Sequence, residues 1–102
     1  MDVKRVVLVT GGARGIGRAI ALRLAEADTA VIFTHVTPNS AGSAETLALL
    51  KERAAAAESE CWAAEDSAAA AKSIEGIAER YGRLDVLVNN AGITKDGMLI
   101  RM

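Results

Sequence analysis

The stretch "VTGGARGIGRAI", Val9–Ile20, places four glycines in seven positions between a β-branched apolar run and a segment of helical spacing. Glycine tolerates positive φ, and it removes the Cβ that would hold a phosphate or another backbone at a distance. A turn that leaves a parallel strand and enters a helix directs backbone N–H groups and the positive end of the helix dipole beyond the strand's end, which suits an anion. A packing turn with no ligand is the other reading of clustered loop glycines. The position of Gly11, Gly12, Gly15 and Gly17, between a first strand and a first helix, favours phosphate.

The flanking segments decide the class. "RVVLV" (Arg5–Val9) is short, continuous and β-branched, as a buried parallel strand requires. Ile16, Ala19, Ile20, Leu22, Leu24 and Ala27 then recur at helical spacing and predict a helix from about Gly15 to Ala27. "AVIFT" (Ala30–Thr34) reads as a second buried strand, and Pro38, Asn39 and Ser40 as a turn. Ser40–Glu58 carries Leu47, Leu49 and Leu50 among strong helix formers. "SECWA" (Ser59–Ala63) is a weak third strand. Asp66 or Ser67 can cap a helix that runs to Tyr81 with Ile74, Ile77 and Ala78 inward, and Gly82 can end it in a left-handed conformation. "LDVLV" (Leu84–Val88) is the fourth strand. The alanine tracts Ala54–Ala57 and Ala68–Ala71 read as close-packed or exposed helix surface. The order β-α-β-α-β-α-β predicts an α/β fold, an open parallel sheet of about four strands with helices on both faces. Right-handed crossovers favour the strand order 3-2-1-4.

The chain's 102 residues make one small domain, 1–102, with no linker. Its net charge of -1 and the lack of a Lys/Arg run argue against a nucleic-acid partner. Cys61, the single cysteine, cannot form an internal disulfide; it reads as a small buried hydrophobe at a strand end rather than a reactive thiol, in a reducing compartment. The opening apolar run is too short for a signal peptide, and no stretch approaches a membrane span. The expectation is a cytoplasmic protein with no membrane partner.

Two phosphate loops are excluded by spacing. A P-loop needs Gly-Lys-Ser/Thr after four residues, but Arg18 and Ala19 follow Gly17. Gly-x-Gly-x-x-Gly fails because Ile20 stands where its third glycine belongs. Thr-Gly-x-x-x-Gly-x-Gly, from Thr10 to Gly17, fits. Together with "LDVLVNNAG" (Leu84–Gly92), it resembles the short-chain dehydrogenase/reductase family over essentially the whole chain. "GGARGIGRAIA" and "NNAGITKDGMLIRM" look most like the 3-oxoacyl-(acyl-carrier-protein) reductases and acetoacetyl-CoA reductases, in their first part.

That resemblance implies a Rossmann-like fold and a nicotinamide dinucleotide partner. Gly11, Gly12, Ala13, Arg14, Gly15, Ile16 and Gly17 would surround the pyrophosphate and adenosine ribose, and Asn90, Ala91 and Gly92 would line the far side of the groove. Asn89 is equally readable as a brace between strands. His35 and Val36, in "FTHVTPNS", follow the second strand where an acid would favour NAD, and no acid appears before Glu45. Arg14 can meet a 2′-phosphate with a charge-assisted fork, so NADP(H) is favoured over NAD(H). His35 alternatively reads as a solvated loop residue.

The family's pattern is not followed everywhere. Ala63 stands where an Asp or Asn commonly contacts adenine, and Asp28 where a glycine commonly ends the first helix, which predicts weaker binding. No catalytic residue is assigned, because the resembled Tyr-x-x-x-Lys pair and its serine are missing. Tyr81 is the only tyrosine and is followed four residues on by Asp85. The chain alone is expected to lack reductase activity, and one Cys and one His make no metal site. The alternative is a non-catalytic, self-associating module. An apolar fourth strand left unpaired predicts a homodimer through that strand or the tail "DGMLIRM", itself expected to begin a helix.

Overall fold

A computed structural model describes residues 3–12, 15–38 and 41–90, and the backbone of 98–101. In chain order these residues form β1 (Arg5–Thr10), α1 (Gly15–Leu24), β2 (Thr29–His35), α2 (Ala41–Lys51), β3 (Ala56–Cys61), α3 (Ser67–Tyr81), β4 (Val86–Asn89) and β5 (Met98–Arg101). The sheet order is β3-β2-β1-β4-β5. The first four strands are parallel in the expected 3-2-1-4 arrangement, and β5 runs antiparallel to β4.

Side chains of β1 and β2 alternate between two apolar layers, as the strand period of two requires. Val7, Val9, Val31 and Phe33 meet Ala21 of α1 and Leu50 of α2 on one face. Val6, Leu8, Ala30 and Ile32 meet Ile77 of α3 on the other. Both central strands are therefore apolar on both faces, which explains their unbroken apolar runs. Among the described residues, no helix is long and apolar enough to cross a membrane.

Of the two caps the sequence offers α3, Asp66 and Ser67, the structure uses Asp66, and the helix ends at Gly82 as expected. The Asp66 carboxylate accepts from the Ala69 N–H at 3.0 Å, and Gly82 takes φ 75° while its N–H donates to the Ala78 carbonyl.

Four expectations are corrected. α2 stops at Lys51 rather than Glu58, because the alanine tract enters β3, where Ala56 and Ala57 lie opposite Ala30 and Val31. Alanine's helix preference is worth little per residue, and strand pairing outweighs it. Cys61 ends β3 exposed, not buried. Residues 98–101 form a strand rather than the start of a helix. β4 is consequently not an unpaired edge: Val86 to Asn89 pair with Arg101 to Met98.

Beyond Ala56, which packs in the apolar layer around Ile77, the contact of β3 with α3 is polar. Glu58 accepts a hydrogen bond from the Tyr81 hydroxyl and pairs with Arg80 at 2.9 Å, while Glu60 accepts from Ser73 Oγ and from Trp62 Nε1. Burial, reinforced by the Glu58 carboxylate, pushes the Tyr81 phenol up to about 12 from its usual 10. The raised value means that the fold favours the protonated phenol. Its contribution is complete below about pH 10 and is lost as pH rises from there toward the folded value. Because Tyr81 is the only tyrosine, phenolate absorbance reads it alone. At about pH 11 the folded chain should remain mostly protonated and the urea-unfolded chain mostly ionised. Equal ionisation in the two states would contradict this assignment.

Candidate functional site

Parallel strands end on the same side, so Thr10 of β1, His35 of β2 and Asn89 of β4 bring their loops to one rim of the sheet. In open α/β sheets the ligand crevice lies outside such strand ends, at the point where strand order reverses. Here β1 has β2 on one side and β4 on the other. The glycine turn sits over that point.

The turn is tied to both neighbours. The Gly11 N–H donates to Thr34 Oγ1 at 3.1 Å, and the Gly12 N–H donates to the Thr34 carbonyl at 3.0 Å. From the other side, Asn90 Nδ2 donates to the Gly11 carbonyl at 3.2 Å. Thr10 Oγ1 donates to Asn89 Oδ1 at 3.2 Å, so Asn89 braces β1 against β4. The N–H groups of Gly11 and Gly12 are thus used inside the protein. Donors for an anion must come from the end of the turn and the start of α1.

Why the helix can start so close is visible at Gly17. A Cβ built there would lie 1.9 Å from the Gly11 carbonyl oxygen and 2.6 Å from Asn90 Nδ2. Any side chain at this position would push α1 off the turn. Gly15 takes φ 62°, and a Cβ built there would meet nothing within 4 Å.

Gly11, Gly12, Gly15, Gly17 and Asn90 are therefore brought together, with the exposed side chain of Ile16 (74%) beside them. His35 ends β2 and Val36 follows it, one and two residues beyond the Thr34 that holds Gly11 and Gly12, and Val36 is 66% exposed. The His35 Nδ1 donates to the Thr37 carbonyl at 2.9 Å, and its ring lies tilted 6.3 Å from that of Phe33. Ala63 follows β3, and its carbonyl accepts from the Asp66 N–H in the turn before α3. Ala13, Arg14, Ala91 and Gly92 lie outside the described residues. A groove of about 590 Å³ between β3 and α3, lined by Glu60, Trp62, Lys72 and Arg80 among others, includes none of the glycine turn.

Two site residues carry no motif signal. Thr34 holds the turn from β2, and only the strand register, which sets Val9 opposite Phe33, places it beside Thr10 and Gly11. Arg18 reaches across to α2, with Nε donating to Thr46 Oγ1 at 2.8 Å and Nη1 to Glu45 Oε1 at 2.7 Å. The first acid after β2 is thereby held in an ion pair.

The family model described as short chain dehydrogenase matches residues 5–102. The 3-oxoacyl-(acyl-carrier-protein) reductase FabG of Staphylococcus aureus is 41% identical, over 100% of this chain and 41% of its own length. A short-chain dehydrogenase from Burkholderia cenocepacia, solved in complex with NADP, superimposes with a TM-score of 0.75 at 38% identity, over 93% of this chain and 38% of that one. Carveol dehydrogenase from Mycobacterium avium, solved in complex with NAD, gives a TM-score of 0.72 at 30% identity, over 94% and 38%. The chain thus spans about two-fifths of the length of the curated relatives it matches. With its glycine turn seated between Thr34 and Asn90 on a 3-2-1-4 sheet, and with that match running almost end to end, the chain belongs to the short-chain dehydrogenase family.

Proposed function

We propose that the chain is the dinucleotide-binding portion of an NADP(H)-dependent oxidoreductase acting on 3-oxoacyl thioesters. The observation that carries this reading is the turn at Gly11–Gly17, where a backbone carbonyl and an amide side chain occupy the space that any side chain at residue 17 would need. Such a surface admits a diphosphate against backbone N–H groups and the helix end. Gly11, Gly12, Gly15, Ile16, Gly17 and Asn90 are proposed to form the cradle, joined by Ala13, Arg14, Ala91 and Gly92. His35, Val36 and Ala63 are proposed to border the adenosine. The nicotinamide, when bound, supplies or accepts a hydride. This chain's residues bind and orient the other end of the cofactor.

NADP(H) is favoured because no carboxylate stands at the end of β2. Thr34, His35 and Val36 occupy that place, and Glu45 is paired with Arg18. Relatives are solved with either dinucleotide, so the preference rests on these residues alone. The thioester assignment rests on similarity to the Staphylococcus aureus reductase. The 102 residues contain no Tyr-x-x-x-Lys pair, and the chain alone is proposed to bind without turning over.

Calorimetric titration with NADPH and with NADH, followed by an assay with an acetoacetyl thioester, tests these points. Tighter binding of NADPH and no turnover are expected; tighter binding of NADH would reject the cofactor choice, and no binding of either would leave the self-associating module. Self-association would use the outer edge of β5 and the tail, because β4 is already paired. Light scattering at micromolar concentration should then give a dimer's mass, and a clean monomer would reject it.

A further inference from the structure

We propose that Arg18 is a positioning residue for the cofactor site, setting the distance between the glycine turn and the wall that begins at His35; this rests on the dinucleotide reading above. Arg18 is the residue after Gly17, on the first turns of α1. Its guanidinium engages three acceptors of different kinds on α2: the Thr46 hydroxyl at 2.8 Å, the Glu45 carboxylate at 2.7 Å and the Gly42 carbonyl at 3.2 Å. Thr46 is fully buried and Arg18 is largely so, at 24% side-chain exposure, which shields the bond to Thr46 from most of the solvent's competition, while the Glu45 carboxylate stands in solvent.

The consequence is topological. The segment between β2 and α2 begins after His35 and ends before Ala41, and Gly42 and Glu45 lie in the first turns of α2. One end of that segment is fixed to the glycine turn by the bonds from Gly11 and Gly12 to Thr34. Arg18 fixes the other end to the start of α1. The two walls that would face a bound dinucleotide, Gly15–Gly17 and His35–Val36, are thus linked a second time, through α2, by one planar fork. A lysine, with a single point of charge, cannot serve three acceptors spread in this way. The guanidinium is engaged with α2, so it acts through the walls and not on the ligand.

The test combines NADPH titration with amide hydrogen exchange on the wild type, Arg18→Met and Arg18→Lys, with the exposed Arg53→Met as a control. In samples shown by circular dichroism to be folded, Arg18→Met should weaken NADPH binding about tenfold, the equivalent of one charge-assisted hydrogen bond. Exchange should accelerate at residues 41–46 but not in β1. Arg18→Lys should recover little of the affinity, and Arg53→Met should behave as wild type. If Arg18→Met does not fold, the double variant Glu45→Ala, Thr46→Val removes two of the same bonds from the α2 side and should show the same loss. Folded variants that bind NADPH within twofold of wild type would overturn the proposal and leave the cofactor reading standing. A wild-type chain that binds no NADPH would overturn both.

Discussion

Gly17→Ala should weaken dinucleotide binding roughly a hundredfold while leaving most of the secondary structure in place. The added methyl would sit 1.9 Å from the Gly11 carbonyl oxygen and 2.8 Å from its carbon, well inside contact distance. The clashing atoms are backbone, so no rotamer change relieves the overlap. The start of α1 must move away from the turn, or the turn away from β4, and either shift breaks the seat that Asn90 holds through its bond to the same carbonyl. Overpacking of this kind costs about 1–3 kcal/mol and occasionally more. A displacement on the order of 1 Å in a preorganised site can cost roughly a hundredfold, about 2.7 kcal/mol, so the loss of binding should reach the upper end of that range. Gly15→Ala is the informative comparison. Its Cβ meets nothing within 4 Å, but the residue has φ 62°, so only backbone strain of about 1–2 kcal/mol is expected. Titration of both variants with NADPH checks the ranking, and equal losses would contradict the assignment of Gly17 as the point of closest approach.

Phe33→Ala should be the most damaging truncation in the core. Phe33 is fully buried on β2 and belongs to the layer formed with Val7, Val9, Ala21 and Leu50. It also lies beneath the turn: a Cβ at Gly12 would come 2.6 Å from the Phe33 Cβ and 3.1 Å from its Cγ, the first carbon of the ring, so the base of this side chain is the floor on which the glycine backbone rests. Removing a buried phenylalanine costs about 3–5 kcal/mol when the cavity cannot collapse. A small domain has roughly 5–15 kcal/mol in all, so a large part of the chain's stability is at stake. Urea unfolding followed by the single tryptophan, Trp62, should show a lower midpoint with an unchanged slope. A shift below about 1 kcal/mol would mean that the site repacks, contrary to the full burial of the Phe33 ring in this layer.

Elements carried by strong local signals were legible in the sequence. The apolar β1 and β2 runs, the Asp66 cap and the left-handed Gly82 follow from residue chemistry alone, and the structure has each of them. β3 was misplaced because four consecutive alanines favour helix locally, while their strand pairing with Ala30 and Val31 is set from a distance. β5 was missed for the same reason: nothing in Met98–Arg101 itself announces β4 as its partner. At the site, the glycine spacing was visible because it is a requirement of a continuous backbone turn. Thr34 and Arg18 were not, since their partners lie 23 and 27–28 residues away and depend on strand register and helix docking.

Amide NMR of the labelled chain, titrated with NADPH, tests most directly whether the glycine turn holds a dinucleotide's phosphates. Saturable shifts concentrated at Gly11, Gly12, Gly15, Gly17 and Asn90, with smaller ones at His35 and Val36, are expected. No saturable shift, or shifts confined to the β3–α3 groove around Trp62 and Lys72, would contradict a phosphate cradle at this turn.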